Sequence, residues 1–178
     1  FILFIKLMNI YIFFLVKKPF DQLIEPGIIN YNICIVGAGG SIGCELCRQI
    51  IKYKPNKIIL FEISEPSLYQ IHQELLGINK NNSIEIIAIL GDVNNQDFVK
   101  KVFEEHKVQI VFHAAAYKHV PLVENNPISG ISNNISSTIT ICNVAKELEL
   151  LKVIYISTDK AVRPTNIMGA SKRLCELI

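Results

Sequence analysis

Short runs of Ile, Val and Leu alternate along the chain with longer segments whose apolar residues recur every three or four positions. The short runs predict buried strands, and the longer segments predict amphipathic helices. Strands are predicted at 31–36, 57–62, 84–90, 109–115 and 152–157. Helices are predicted at 41–53, 66–76, 96–106, 128–148 and 166–178. Continuously apolar strands separated by helices indicate a doubly wound α/β fold, a parallel sheet with helices on both faces.

The first sixteen residues form an apolar segment of their own, FILFIKLMNIYIFFLV, which Lys17 and Lys18 follow. A transmembrane helix needs about 20 apolar residues, and this run is shorter and contains Lys6 and Asn9. It has no cleavage site of the signal-peptide kind. Two interpretations stay open: the end of a transmembrane helix in 1–16, or a shorter interfacial or packed segment. The first places the domain at the cytoplasmic face of a membrane, and the second makes the protein cytoplasmic.

The composition limits the chain to one domain. Its 178 residues, half of them apolar, suffice for one α/β domain with a core but not for a cofactor domain plus a full substrate domain. We divide the chain into an apolar segment at 1–18, a connector with Pro19 and Pro26 at 19–30, and one domain at 31–178. The net charge of +2, without a basic stretch interleaved with aromatic residues, argues against nucleic-acid binding.

The five cysteines have no framework spacing, which suits a reducing cytosol. Cys44 and Cys47 form a C-x-x-C pair, but a structural zinc needs four ligands and no second pair appears in the sequence. We interpret the pair as small residues at the start of a helix, and we predict no metal site.

A glycine-rich segment, GAGGSIG, follows the first predicted strand and opens the first predicted helix. Gly37 permits the tight turn, Gly40 lets the backbone approach a pyrophosphate, and Gly43 lets the helix pack close to the sheet. The helix N-terminus presents free N–H groups and a positive dipole end to the phosphates. This context predicts a dinucleotide site. The segment also contributes Gly39, Ser41 and Ile42 to the predicted site.

Acidic residues end the next two predicted strands. Glu62 lies roughly 20 residues past the glycines, where a carboxylate holds the ribose hydroxyls of NAD. Such a carboxylate repels the extra phosphate of NADP, so NAD is favoured, although a Lys or Arg elsewhere could still admit NADP. Asp92, with Val93 beside it, is predicted to lie near the adenine, and the alternative for Asp92 is a plain turn residue.

Five segments together resemble one family: GAGGSIG, LFEISEPSLY, LGDV, VFHAAAYKHVPLVENNP and ISTDKAVRPTNIMGASKRLCELI. The chain resembles the CapD-like polysaccharide-biosynthesis proteins, which are extended short-chain dehydrogenase/reductases with an NAD(P)-binding Rossmann fold. Among them it is most similar to the membrane-anchored UDP-N-acetylglucosamine 4,6-dehydratases. The resemblance covers 31–178, and the C-terminal substrate region of that family lies beyond this range.

The resemblance implies a lyase reaction in three stages on a UDP-N-acetylhexosamine. The sugar is oxidised at carbon 4 by hydride transfer to NAD, water is eliminated across carbons 5 and 6, and the hydride returns to carbon 6. Asp159 is implied to protonate the leaving hydroxyl, and Lys160 to take the carbon 5 proton. A lysine base must be neutral, which requires burial or a cationic neighbour. Lys172 is implied to hold the nicotinamide ribose.

Met168 departs from the Tyr-x-x-x-Lys pattern of ordinary short-chain dehydrogenases, because Met168-x-x-x-Lys172 stands in its place. Methionine cannot transfer a proton. The membrane-anchored dehydratases resemble this chain in having Met there, so the change is compatible with activity. The group that deprotonates the carbon 4 hydroxyl stays open among Thr158, Lys172 and a water.

The same resemblance assigns residues to the walls of the site. Ala114, Ala115 and Ala116 are expected to form the flat wall beside the nicotinamide. Lys118, His119 and Asn134 are expected to contact the substrate, and the alternative for His119 is a plain loop residue. Ser137 stands where the family pattern has Gly. In its full-length form the protein is expected to be a homo-oligomer.

Two other functions compete with a dehydratase. A nucleotide-sugar 4-epimerase shares the fold and the cofactor, but it needs the tyrosine base that Met168 replaces, and it has no use for an Asp-Lys pair. A non-catalytic cofactor-binding fragment is the third hypothesis.

Overall fold

The computed structural model describes residues 28–81 and 83–178 and, of the N-terminal segment, the backbone of 6–7 and 10–14. The strands are β1 (Lys6–Leu7), β2 (Ile10–Phe14), β3 (Asn32–Val36), β4 (Lys57–Glu62), β5 (Glu85–Leu90), β6 (Ile110–His113) and β7 (Lys152–Ser157). The helices are α1 (Ser41–Ile50), α2 (Glu65–Ile78), α3 (Gln96–Glu105), α4 (Val120–Asn125), α5 (Pro127–Glu147) and α6 (Ile167–Cys175). Short 3-10 turns follow α1 at Ile51–Tyr53 and β7 at Asp159–Ala161.

Within the described part of the chain the strands form one sheet in the order β1-β2-β7-β6-β3-β4-β5. β2 to β7 pair in parallel, and β1 pairs antiparallel with β2. The five strands of the predicted domain run β5-β4-β3-β6-β7, which is the 3-2-1-4-5 order of a Rossmann fold. The order reverses between β3 and β6, and ligands of such sheets bind there, at the carboxyl ends of the strands.

The core lies in two layers because successive side chains of a strand point to opposite faces of the sheet. Ile35 of β3 belongs to a buried cluster with Leu46 of α1 and Leu75 of α2. Its neighbour Val36 belongs to the opposite cluster, with Ile141 of α5. Helices therefore cover both faces, and the predicted doubly wound α/β class is confirmed.

The sequence prediction missed α4 and misplaced several boundaries. No element was predicted at the stretch that forms α4, because six residues are too few to show a helical period. A proline is tolerated in a first helical turn, which is where Pro121 lies. β6 ends at His113, two residues earlier than predicted, because the chain leaves the sheet at Ala114. α6 ends at Cys175 rather than at the last residue.

The N-terminal segment contributes backbone pairing to the edge of the sheet. β2 lies parallel to β7, with Ile10 opposite Val153 and Phe14 opposite Ser157. The rest of the predicted apolar segment, and the connector up to residue 27, lie outside the described residues. No helix of the described part is long and apolar enough to cross a membrane. The expected membrane association and localisation stay predictions.

Candidate functional site

The glycine-rich segment forms a tight loop between β3 and α1, at the reversal point of the sheet. Gly37 has a φ of +79°, and a Cβ there would lie 2.6 Å from the backbone nitrogen of Ala115. Both the left-handed backbone and the approach of the β6 end therefore require glycine. The Gly37 N–H donates to the Phe61 carbonyl at 2.8 Å, which ties the loop to β4.

Gly40 and Gly43 have opposite surroundings. A Cβ on Gly43 would lie 1.9 Å from the Gly37 carbonyl oxygen, so glycine is needed there for the helix to approach the loop. This contact is with the loop itself rather than with the sheet, where the sequence had placed it. A Cβ on Gly40 would come no closer than 3.4 Å to the described protein, again at Gly37. The space in front of Gly40 is open, as a ligand approaching the backbone requires.

Hydrogen bonds to backbone N–H groups anchor the Glu62 carboxylate to the glycine-rich loop. Its Oε2 accepts the backbone N–H of Gly39 at 2.9 Å. Its Oε1 accepts the N–H groups of Ile63 and Ser64 at 2.9 and 3.0 Å. A carboxylate offers about four lone-pair sites, so these bonds fix its position and leave acceptor capacity facing the cleft that it lines.

These elements enclose a cleft of about 260 Å³ at the carboxyl ends of β3, β4 and β6. The predicted residues that line it are Gly37, Gly39, Gly40, Ser41, Ile42, Glu62, Asp92, Val93, Ala114, Ala115, Ala116 and Lys118. Lining residues that the sequence did not single out include Ile63, Ser67, Tyr117 and Asn133. Gly43 lies behind the loop instead. Asp92 is also a turn residue, because its Oδ1 accepts the Asn94 backbone N–H at 2.9 Å.

Lys118 extends across the mouth of this cleft. Its Nζ donates to the Ser41 hydroxyl at 3.2 Å, so the ammonium lies beside the N-terminus of α1. His119 is the exposed residue that precedes α4, and it lines a neighbouring cavity of about 440 Å³ rather than the cleft. Of the two predicted substrate contacts in this loop, Lys118 therefore lies nearer to the phosphate loop and His119 lies apart from it.

Asn134 does not present its amide to the cleft, contrary to the predicted substrate contact. It is 1% exposed. Its Oδ1 accepts the Tyr117 N–H at 2.7 Å, and its Nδ2 donates to the Tyr117 carbonyl and to the Ser171 hydroxyl. The amide thus clamps the loop after β6 to α6. Ser137, also buried, donates to the Asn134 carbonyl at 3.1 Å, which is how a hydroxyl is accommodated at that position.

The Asp159–Lys160 pair follows β7 and faces solvent. The side chains are 87% and 50% exposed, and Lys160 Nζ lies 3.7 Å from Asp159 Oδ1. The Thr158 hydroxyl donates to the same Oδ1 at 2.9 Å. This bond, with the charge of Lys160, lowers the pKa of Asp159 below its ordinary value. The lowered pKa favours the ionised form of Asp159, so its use as an acid requires something that covers it.

Lys172 and Met168 lie under the same edge on α6, and both are buried. The Nζ of Lys172 donates to the Ile156 carbonyl at 2.7 Å and lies 4.1 Å from the centre of the Tyr155 ring. Burial lowers the pKa of Lys172 to about 8. Neither residue lines the cleft. In the pairing of β6 with β7, His113 lies opposite Tyr155, and Ala114, the residue after His113, lines the cleft.

α6 and the turn that carries Lys160 are in close contact. A Cβ on Gly169 would lie 2.3 Å from the Lys160 carbonyl oxygen. The Asn166 side chain accepts the Gly169 N–H at 2.7 Å, and the Glu124 carboxylate of α4 accepts the Ile167 N–H at 2.6 Å. These two hydrogen bonds cap the N-terminus of α6 and hold it beside the turn that carries Asp159 and Lys160.

A family model described as "Polysaccharide biosynthesis protein" matches residues 33–178. The capsular polysaccharide biosynthesis protein CapD of Staphylococcus aureus is 49% identical over 88% of this chain and 26% of its own length. A UDP-N-acetylglucosamine 4,6-dehydratase (inverting) of Campylobacter jejuni is 35% identical over 79% of this chain and 40% of its own length. A UDP-glucose 4-epimerase of Rickettsia prowazekii is 34% identical over 83% and 42%.

Among solved structures, Pen from Bacillus thuringiensis superposes with a TM-score of 0.76 at 31% identity. The match covers 85% of this chain and 44% of Pen. The chain thus spans less than half the length of the curated relatives and the solved structure that it matches.

Proposed function

The chain belongs to the polysaccharide biosynthesis protein family, and on that basis we propose that it is the cofactor-binding and catalytic part of an NAD-dependent UDP-N-acetylglucosamine 4,6-dehydratase. The observation that carries the proposal is the cleft at the reversal point of the sheet. There the open face of Gly40, the N-terminus of α1 and the anchored carboxylate of Glu62 lie together.

The residues of the cleft suit a dinucleotide. Gly40 leaves room for a pyrophosphate at the backbone, and the N-terminal N–H groups of α1 and the Lys118 ammonium supply positive charge beside it. Glu62 would accept hydrogen bonds from the adenosine ribose and disfavour a phosphate there. Ala114 to Ala116 leave a flat wall for the nicotinamide. When bound, the nicotinamide would supply reversible hydride transfer at carbon 4 of the sugar.

The residues after β7 would then carry the proton transfers. A ketone at carbon 4 acidifies the proton on carbon 5, which Lys160 would accept, while Asp159 would protonate the hydroxyl that leaves carbon 6. Because both side chains are exposed, the bound sugar nucleotide and the remaining part of the protein would have to bury them. Burial raises the pKa of a carboxyl and lowers that of a lysine, which is the direction that both roles need.

A 4-epimerase is the second candidate, since relatives of both kinds match at about a third identity. The buried Met168 argues against it. Both reactions deprotonate the carbon 4 hydroxyl, but only an epimerase has to reprotonate that oxygen, and Met168 cannot transfer a proton. It also needs no Asp-Lys pair. The Asp159–Lys160 contact is therefore the feature that favours elimination over epimerisation.

The test is to identify the product. The chain, extended with the C-terminal region of a relative, should convert UDP-N-acetylglucosamine into a 4-keto-6-deoxy sugar nucleotide. An epimerised sugar with its carbon 6 hydroxyl intact would favour the epimerase. The 178-residue chain by itself should turn over at least about a hundredfold more slowly, because a misplacement of about 1 Å already costs that much. Equal turnover by the short chain would contradict the proposed need for a covering wall.

A further inference from the structure

The Lys172 ammonium lies in a site built from β7. Its Nζ donates to the Ile156 carbonyl at 2.7 Å, and the Tyr155 ring faces it at 4.1 Å. Lys172 and Tyr155 are 5% and 3% exposed. A buried ammonium is costly unless it is paired, and here the partners are one carbonyl and one aromatic face.

The partners direct the remaining donor capacity of the lysine. An ammonium has three N–H groups. The Ile156 carbonyl takes one, and the face of the Tyr155 ring, which is negative because of its quadrupole, attracts another. One N–H is then left for a ligand.

The site lies one strand from the floor of the cleft. His113, the last residue of β6, pairs with Tyr155 of β7. Ala114, which follows His113, lines the cleft, and the carbonyl of Ile156, which follows Tyr155, accepts from Lys172. Neighbouring strands lie about 4.8 Å apart, which is within reach of a cofactor that rests on Ala114.

We propose that Tyr155 is a positioning residue, whose ring face and the adjacent Ile156 carbonyl seat the Lys172 ammonium so that its third N–H addresses the cofactor ribose. The inference rests on the proposed function, in which Lys172 holds that ribose. Tyr155 itself touches neither cofactor nor substrate in this role. It acts by holding the ammonium charged and oriented.

The charges around the Lys172 ammonium agree with this role. From β6, His113 stacks on Tyr155 with ring centres 5.5 Å apart, and its burial keeps it neutral by lowering its pKa to about 3. From α6, Cys175 and Glu176 act on Lys172, and both favour its charged form, although burial outweighs them. Within the described groups, the Tyr155 ring is the side chain of β7 that stabilises the ammonium, beside the Ile156 carbonyl of the same strand.

The test replaces Tyr155 with Phe and then with mono-, di- and trifluorinated phenylalanine, which preserve the shape of the ring but weaken its quadrupole. NAD affinity is measured by calorimetry, and the Lys172 pKa is followed by NMR of ¹³Cε-labelled lysine. Across the series, NAD affinity should fall stepwise by roughly tenfold, and the pKa should fall by about one pH unit, since the charged form loses its partner. The Phe variant should stay within about twofold of wild type.

The same series at Phe112, a buried ring on the other face of the sheet, should change neither quantity. The fluorinated Tyr155 series in a Lys172→Met background should also leave NAD affinity flat. Unchanged NAD affinity and unchanged Lys172 titration across the Tyr155 series would overturn the positioning role of Tyr155. An equal loss of NAD affinity in the Lys172→Met background would overturn it as well. Absence of NAD binding by wild type would contradict the proposed function instead. The Lys172 titration would still decide whether the Tyr155 ring stabilises the ammonium.

Discussion

The Glu62 carboxylate accepts the Gly39 backbone N–H at 2.9 Å, so the acid at the end of β4 and the glycine loop form one rigid unit. A Cβ on Gly39 would lie 3.2 Å from the Cγ of Glu62 and 2.5 Å from the Cβ of Ser67. The carboxylate is thus preorganised, so ligand binding loses little side-chain entropy at Glu62. In the proposed function, cofactor selectivity and loop geometry would depend on the same side chain.

Substitutions of Glu62 should separate these two effects. Glu62→Gln keeps an acceptor oxygen for the Gly39 N–H but loses the charge and the acceptor of the Ile63 and Ser64 N–H groups. NAD should therefore weaken, and the preference for NAD over NADP should shrink. Glu62→Ala loses both, and NAD should weaken by roughly 10- to 100-fold, more than NADP does. Calorimetric titration with each cofactor checks both variants. Equal losses for NAD and NADP in Glu62→Ala would leave the residue a loop anchor without a role in selectivity.

His113 should make the fold sensitive to acid. Burial, and to a lesser extent the charge of Lys172, lowers its pKa from 6.5 to about 3. The unfolded chain therefore takes up a proton near pH 6.5, whereas the folded chain resists it down to about pH 3. The contribution to stability is complete above pH 6.5 and is lost as the pH falls through this window.

Urea unfolding at pH 7.5 and 4.5 measures this contribution. The loss of unfolding free energy between the two pH values should be smaller by roughly 2–3 kcal/mol in His113→Phe than in wild type. The exposed His119, replaced by Phe, serves as the control and should behave like wild type. An identical pH dependence for His113→Phe and wild type would show that the buried imidazole does not resist protonation.

Asp159→Asn should stall the proposed reaction after oxidation. In the extended protein the variant should still reduce the cofactor, because hydride transfer from carbon 4 does not need the acid. A 4-keto sugar that keeps its carbon 6 hydroxyl should then accumulate, detectable by cofactor absorbance and by mass spectrometry after quenching. Loss of cofactor reduction in this variant would move Asp159 to the oxidation step.

Gly169→Ala should displace Lys160 without disturbing the cofactor cleft. The added Cβ would lie 2.3 Å from the Lys160 carbonyl oxygen. We expect the turn at Asp159–Ala161, whose Asp159 and Lys160 side chains are exposed, to shift rather than the buried face of α6. A shift of about 1 Å costs roughly a hundredfold in rate. NAD affinity should stay within about twofold of wild type, because Gly169 does not line the cleft. Normal turnover, or a parallel loss of NAD affinity, would contradict this separation.

The sequence predicted the parts of the fold that depend on local pattern. Buried strands such as β3 and the strand–loop–helix context of Gly37 to Gly43 are encoded by neighbouring residues, so they could be read directly. The acid at Glu62 follows from its position at a strand end. The missed α4 is short, and its first turn contains a proline, so no periodic pattern distinguishes it from a loop.

The roles that the sequence did not predict depend on contacts between distant residues. Asn134 was expected to contact substrate, but its amide bonds to Tyr117 and Ser171, at separations of 17 and 37 residues. Asn133, one position earlier, lines the cleft instead. The helical period allows either neighbour to face the site, and the pairing that decides between them is visible only in the folded chain. The contact of Lys172 with Tyr155 is of the same kind.

Calorimetric titration of the 178-residue chain with NAD tests most directly whether the cleft is a cofactor site. Wild type should bind one NAD, and Gly40→Val should bind none, because the side chain would fill the open space in front of the loop. Gly77→Ala is the matched control, since a Cβ there meets nothing within 4 Å, and it should bind as wild type does. Binding by Gly40→Val as tight as by wild type would contradict the assignment of the cleft.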